Sequence, residues 1–120
     1  MDAAAISQPF FALARENADE FQGQVYGFSL VYSGNFLAQT EVDNYDTARV
    51  LMGIHPNGFK WTLGKGESFQ TPEMVMIYSE AGLNGMSQTF HKLYRTRLAR
   101  GTWRDKVRPI LINSWEAFYF

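Results

Sequence analysis

The sequence predicts a mainly-β fold in which an antiparallel β-sandwich is followed by one linking α-helix and then by the first strand of a second domain. Three observations carry this prediction. Turn signals recur about every 8 to 12 residues through the first two thirds of the chain, which is typical of antiparallel sandwiches. After Gly82 the apolar period changes to three and four residues. Finally, Ile110, Leu111 and Ile112 form an unbroken apolar run, which favours a strand covered on both faces, as in a parallel sheet.

Six segments have the composition of β-strands. They are rich in aromatic and β-branched residues and are bounded by turn-forming residues; they comprise residues 9–14, 23–32, 36–42, 49–54, 59–63 and 73–78. In the second segment, alternation places the larger side chains on one face, which we expect to fill the core: Tyr26, Phe28, Leu30 and Tyr32. Residues 33–35, Ser-Gly-Asn, tolerate positive φ, so we expect a hairpin that joins the second and third segments.

A single helix is predicted after the last of these strands. Its apolar face is marked by residues at three- and four-residue spacing, namely Leu83, Met86, Phe90, Leu93, Tyr94 and Arg97. Asn84 is the expected N-cap, because its side chain can accept from exposed backbone N–H groups. The helix should end near Gly101, with its cations at the negative end of the helix dipole. A short polar linker, residues 102–106, then leads to Pro109 at the start of the final strand.

Length and composition exclude several classes of protein. At 120 residues, with 46% hydrophobic content and three tryptophans, the chain has too much apolar surface to be disordered and is long enough to form a core. The absence of cysteine excludes disulfide frameworks, thiolate zinc sites and cysteine nucleophiles. The N-terminus, residues 1–5, lacks the basic start and apolar centre of a signal peptide. No apolar stretch approaches the roughly 20 residues of a membrane span. We therefore expect a cytoplasmic protein with no membrane partner.

The basic residues are unevenly distributed along the chain. Seven of the eleven Lys and Arg residues fall between positions 92 and 108, and Asp105 is the only acid among them. One interpretation is a phosphate-binding face, because clustered cations gain from counterion release. The other, which we favour, is a solvated helix face followed by a linker. The net charge of −1 also argues against a nucleic-acid partner.

No pattern in this chain predicts a catalytic centre, a metal site or a cofactor. Glu41, Asp43 and Asp46 lie near the end of a predicted strand, where polar turn residues usually serve solubility rather than acid–base chemistry. His55 and His91 have no carboxylate or second histidine at ligand spacing, so we expect ordinary surface or hydrogen-bonded histidines.

Trp115 and Glu116 stand out because they follow the apolar run. In barrels and open α/β sheets, side chains at the C-terminal ends of strands face the active site. A tryptophan there offers a flat apolar wall on which the C–H face of a sugar can stack. A core tryptophan under a sheet is an equally good interpretation of the position alone.

Several motifs resemble those of bacterial α-galactosidases of glycoside hydrolase family 36. The closing stretch from Arg108 to Phe120 carries the resemblance, together with Gln-Thr-Pro-Glu at residues 70–73 and Gly-Leu-Asn-Gly-Met-Ser-Gln-Thr-Phe-His-Lys at residues 82–92. Residues 24–28 and 32–35 are similar to the large N-terminal β-sandwich of the same family. Ser114 and Phe118 stand where the family is expected to have Asn and Thr.

The resemblance implies a domain organisation. Residues 1–81 would be the C-terminal part of the N-terminal β-sandwich, residues 82–107 the linking helix and linker, and residues 108–120 the first strand of a (β/α)8 catalytic barrel. Family members remove terminal α-linked galactose from melibiose, raffinose and related oligosaccharides with retention of configuration, and they are commonly tetramers. Both catalytic aspartates lie on later barrel strands, so none is expected in this chain, which should be inactive alone.

Of the family's substrate contacts, only one carries over. It is the tryptophan after the first barrel strand, which matches Trp115, whereas Glu116 receives no role. The alternative hypothesis is a stand-alone, non-catalytic β-sandwich that binds carbohydrate or a protein partner.

Overall fold

The computed structural model describes residues 9–115, which form five strands and one α-helix. The strands are β1 (Phe10–Ala14), β2 (Val25–Leu30), β3 (Phe36–Val42), β4 (Ala48–Ile54) and β5 (Met74–Ser79). The helix α1 (Gly82–Leu93) continues into a π-helical turn, Tyr94–Leu98. The chain divides into two compact units, Met1–Ser87 and Gln88–Phe120.

The first unit contains two antiparallel sheets. One has the order β1-β2-β5 and the other pairs β3 with β4. Within the part of the chain that the structure describes, no helix has the length and apolar character needed to cross a membrane.

Strand β2 is central and is covered on both of its faces. Val25 on one face is fully buried, and Phe28 on the other face is 5% exposed. Phe28 pairs with Phe11 of β1, and their rings stack at a centroid distance of 5.0 Å. The expectation that this face fills the core is confirmed at Phe28 and Leu30, whereas Tyr26 remains 38% exposed. Both edges of β2 are paired as well, because the strand lies between β1 and β5.

The hairpin expected between the second and third strand segments is not formed. Both edges of β2 are occupied, by β1 and β5, so the third strand pairs with β4 instead. The turn between β3 and β4 is stabilised by Asp43, whose Oδ1 accepts from the N–H groups of Tyr45 and Thr47 at 2.8 and 2.9 Å. This side-chain turn offsets the cost of positive φ at Asp46 (58°).

The strand predicted over residues 59–63 was also wrong. The structure has no regular secondary structure between His55 and Glu73. The alternating apolar side chains pack on a neighbouring ring instead of joining a ladder, because Trp61 lies 4.9 Å and Phe59 6.0 Å from Phe69, measured between ring centroids. Alternation here reflects an aromatic cluster and not sheet pairing.

The start of α1 is fixed by backbone carbonyls of the loop between β1 and β2. The N–H groups of Gly82, Leu83 and Asn84 donate to the carbonyls of Gly23, Asp19 and Glu20 respectively, at 2.8 to 3.1 Å. These bonds satisfy three of the four N–H groups that a helix start leaves unpaired. Asn84 is therefore not the N-cap that the sequence predicted, because the helix already begins at Gly82 and a loop, not a side chain, caps it.

Close approach between this loop and the helix requires glycine. A Cβ atom at Gly82 would collide with the carbonyl oxygen of Asp19 and would lie 2.7 Å from the amide nitrogen of Gln22. Gly82 also has a φ of 65°, a conformation that costs other residues roughly 1–2 kcal/mol. The backbone bonds that cap α1 therefore depend on the missing side chain.

The predicted apolar face of the helix is confirmed at its centre. Met86 and Phe90 are 6% and 4% exposed, whereas Leu83 and Tyr94 at the two ends are each 37% exposed. The helix ends earlier than Gly101, because the Thr96 hydroxyl donates to the Lys92 carbonyl at 2.7 Å and the N–H of Ala99 closes a wider turn on the Tyr94 carbonyl at 2.7 Å. A hydroxyl bonded back to the i−4 carbonyl weakens the regular ladder at this end.

The capping loop itself is held by one carboxylate. Oδ1 of Asp19 accepts from the backbone N–H groups of Phe21 and Gln22 at 2.8 and 2.9 Å, and Oδ2 accepts from the Gln22 side-chain amide at 2.9 Å. The backbone hydrogen bonds, that of Phe21 first, hold the pKa of Asp19 below its ordinary value of 3.8.

We expect Gly82→Ala to lower the free energy of unfolding by more than about 2 kcal/mol, because it adds both backbone strain and a collision with the Asp19 carbonyl. Gly58→Ala is the matched control, since Gly58 also has positive φ but has open space around its Cβ position. Urea unfolding followed by circular dichroism measures both variants. Equal losses of unfolding free energy in the two variants would contradict the predicted collision with the Asp19 carbonyl.

We expect Asp19→Ala to lower the melting temperature at pH 7. A carboxyl whose pKa is depressed by folding stabilises the fold above its ordinary pKa, and this contribution disappears as pH falls below 3.8 through the lower folded pKa. The difference from the parent should therefore shrink in acid. Glu16→Ala, which removes an exposed carboxylate from the same loop, should leave the melting temperature unchanged at both pH values.

Candidate functional site

Trp115, the residue predicted to bind substrate, lies at the end of the exposed apolar run. Its indole is 70% exposed, and its backbone N–H donates to Oδ1 of Asn113 at 2.9 Å. This local turn fixes the backbone just before the tryptophan. No sheet covers Trp115 within the described residues, and both interpretations of its position stay predictions. Glu116 and residues 117–120 lie outside those residues.

The apolar run before Trp115 has no partner strand among residues 9–115. Ile110, Leu111 and Ile112 are 96%, 89% and 83% exposed, and the structure assigns no strand between positions 107 and 114. A strand is stabilised by cross-strand pairs and ladder hydrogen bonds, and the described part of the chain offers none to this segment. The segment is therefore unpaired among the described residues, and its place as the first strand of a barrel stays a prediction.

Two of the carboxylates considered for acid–base chemistry, Glu41 and Asp43, have structural roles, and so has Glu67. Glu41 pairs with Arg49 across β3 and β4 at 3.0 Å, Asp43 holds the turn described above, and Oε2 of Glu67 accepts from the Gly64 N–H at 3.0 Å. Among the residues that the structure describes, no group of three or more His, Asp or Glu side chains is placed to hold a metal ion. His55 acts locally, its Nδ1 accepting from the Asn57 N–H at 3.1 Å.

Two tyrosines form a partly exposed pair on the three-stranded sheet. The rings of Tyr26 and Tyr78 lie 5.0 Å apart, and the Tyr78 hydroxyl donates to Oε1 of Glu80 at 2.9 Å. Desolvation raises the pKa of the Tyr78 phenol, and the hydrogen bond and negative charge of Glu80 raise it further. The pair presents an apolar surface beside a carboxylate, which is the chemistry that a sugar needs.

A second surface feature lies in the second unit, where the sequence grouped its cations. An open groove of about 470 Å³ follows the π-helical turn. Its walls include Tyr94 and Trp103, and its charged lining comprises Arg95, Arg104, Lys106 and Arg108. Lys106 Nζ lies 5.1 Å from the centre of the Trp103 ring. The sequence indicated the cations but not this groove, because the positions of the cations depend on the irregular backbone between Ala99 and Arg108.

Comparison with known proteins decides the family. The profile of the glycosyl hydrolase family 36 N-terminal domain matches residues 2–64, and the melibiase profile matches residues 68–120. The chain belongs to glycosyl hydrolase family 36. The resemblance seen in the sequence is therefore confirmed.

Relatives within family 36 are α-galactosidases. The chain is 72% identical over 112 residues to α-galactosidase AgaA of Geobacillus stearothermophilus, which covers 93% of this chain and 15% of AgaA. It is 48% identical over 112 residues to α-galactosidase Mel36A of Lactobacillus acidophilus, with the same coverages. The chain thus spans about 15% of the length of the curated relatives that it matches.

Solved family 36 structures have the same fold over this region. A substituted AgaA in complex with raffinose superposes with a TM-score of 0.86 at 72% identity, covering 93% of this chain and 16% of that one. The α-galactosidase of Lactobacillus brevis superposes with a TM-score of 0.85 at 48% identity, covering 93% and 15%. The predicted fold class, mainly β with antiparallel sheets followed by a helix, is confirmed by these neighbours and by the strands described above.

Proposed function

We propose that this chain is part of a retaining α-galactosidase that hydrolyses terminal α-linked galactose from oligosaccharides such as melibiose and raffinose. The main support is the 72% identity to AgaA, a substituted form of which has been solved with raffinose and another with stachyose. Retention of configuration needs two carboxyl groups about 5 Å apart across the scissile bond. The resemblance assigns these to aspartates on later barrel strands, so this chain would not supply them.

The proposed role of this chain is to support the barrel and line the galactose subsite. Residues 1–81 belong to the N-terminal sandwich, residues 82–107 link the domains, and residues 108–120 form the first barrel strand. Trp115 follows that strand, and its 70% exposed indole is free to stack on the C–H face of galactose. We propose a cytoplasmic enzyme and, from the resemblance, a homotetramer without cofactor, metal, nucleic-acid or membrane partner.

The second candidate function is a stand-alone β-sandwich that binds carbohydrate or a protein partner. The observation that favours it is the Tyr26–Tyr78 pair beside Glu80, which offers a sugar-stacking surface independent of any barrel. Titration of residues 1–120 with raffinose distinguishes the two hypotheses. Binding that is lost in Tyr26→Ala and retained in Trp115→Ala favours the stand-alone sandwich.

We expect purified residues 1–120 to release no galactose from a chromogenic α-galactoside, because neither member of a retaining carboxyl pair is assigned to this chain. An active family 36 enzyme assayed in parallel is the positive control. Turnover that disappears when a carboxylate of this chain is replaced by its amide would contradict the proposal.

In an active enzyme that contains this chain, we expect Trp115→Ala to lower kcat/KM for raffinose roughly ten-fold, the loss of one stacking surface. Trp115→Phe should recover part of the loss, because a smaller ring still stacks. Trp61→Ala, which removes a comparably exposed indole from the first unit, is the control and should leave kcat/KM unchanged. The same kcat/KM in the parent and Trp115→Ala enzymes would exclude Trp115 from the subsite.

A further inference from the structure

We propose that the groove in the second unit is a docking surface for a carboxylate-bearing polypeptide segment of the catalytic domain of the longer protein. The inference deepens the proposed function and rests on it, because it specifies the chemistry by which this chain would join the remaining barrel. The relatives are more than six times longer than the part matched here, since the match covers 15% of their length. Under the proposed function, the same molecule would supply a large polypeptide partner.

The charge of the groove is largely uncompensated. Four cations line it, namely Arg95, Arg104, Lys106 and Arg108. Between residues 88 and 115, Arg104 alone forms an ion pair, with its sequence neighbour Asp105 at 2.9 Å. Like charges held on one surface repel each other and attract carboxylates to the same place. An acidic segment would relieve the repulsion and gain charge-assisted hydrogen bonds from the guanidinium groups.

The apolar residues that continue from the groove favour a polypeptide over a nucleic acid. Arg108 lines the groove and is followed by the exposed run from Ile110 to Ile112. A polypeptide can place carboxylates against the cations and apolar side chains or a strand against the run, whereas a nucleic-acid backbone gains nothing from apolar side chains.

The shape of the groove is compatible with side chains of a partner segment. Its volume of about 470 Å³ lies within the range of about 300–1,000 Å³ that is usual for binding pockets. Tyr94 and Trp103, which are 37% and 46% exposed, provide aromatic walls against which the apolar parts of a segment can pack. Arginine and aromatic residues together are the composition of well-packed interface centres.

The main test uses an enzyme in which this chain replaces the matching segment of AgaA. Arg95→Gln with Arg108→Gln removes two groove charges, and Lys60→Gln with Lys65→Gln removes two exposed charges from the first unit as the matched control. We expect the groove variant to melt several degrees below the parent in 20 mM NaCl and the difference to narrow in 500 mM NaCl, because salt screens the pairs. The control variant should have the same melting temperature as the parent at both salt concentrations. A groove variant that behaves as the control overturns the proposal.

A variant with Arg95→Lys and Arg108→Lys keeps both positive charges. It therefore distinguishes the effect of charge on the melting temperature from the effect of side-chain packing. We expect it to recover most of the melting temperature, and a loss as large as in the glutamine variant would overturn a charge-based contact. Galactosidase activity of the parent chimera is read separately. An inactive but cooperatively folded parent would count against the proposed function while the melting comparison still tests the groove.

A second measurement covers the case in which the groove variant does not fold in the chimera. Residues 1–120 are titrated with poly-L-glutamate and with a single-stranded oligonucleotide, and Trp103→Phe assigns any fluorescence change to the groove. We expect poly-L-glutamate to bind the parent and to bind the Arg95→Gln, Arg108→Gln variant at least ten-fold more weakly. Equal binding to both, or oligonucleotide binding that needs these arginines, would overturn the proposal.

Discussion

The bonds between the β1–β2 loop and the first turn of α1 are the constraint on which the first unit depends. They join a loop that precedes β2 to a helix that follows β5, so they fasten together parts of the chain about 60 residues apart in sequence. Backbone donors and acceptors make these bonds, and the loop and helix can approach this closely only because Gly82 has no side chain. Asp19 shapes the acceptor side by holding the N–H groups of its own loop.

The same bonds explain which features of the fold could be predicted from sequence. Strand positions and the apolar face of α1 follow from local periodicity, because side chains alternate or recur on one face of each element. The pairing of the strands was harder to predict from the sequence, since β2 and β5 are separated in the chain by the whole β3–β4 hairpin. The start of α1 was misplaced because Asn84 carries a capping side chain, whereas carbonyls of a distant loop leave no signature in sequence.

The candidate site also has features that could be predicted from the sequence and features that required the structure. Trp115 was identified by its place after an apolar run and by the resemblance to family 36, and both are readable without coordinates. The exposure of Trp115 could not be predicted from the sequence, because burial depends on which segments cover the ring. The groove could be recognised only from the structure, for another reason. Arg95 lies on a π-helical turn and Lys106 in irregular chain, and no regular period relates positions on such elements.

Charge is unevenly divided between the two units of the chain. Residues 1–87 contain four Lys and Arg against ten Asp and Glu, whereas residues 88–120 contain seven against two. In the first unit, backbone N–H groups donate to the carboxylates of Asp19, Asp43 and Glu67, so part of its negative charge stabilises turns. In the second unit, Arg104 pairs with Asp105 and Lys106 lies over the Trp103 ring, whereas Arg95 and Arg108 form no ion pair among the described residues. The near-neutral total charge of the chain is therefore the sum of a negative first unit and a positive second unit, and the cations of the second unit are followed in sequence by the exposed apolar run from Ile110 to Ile112.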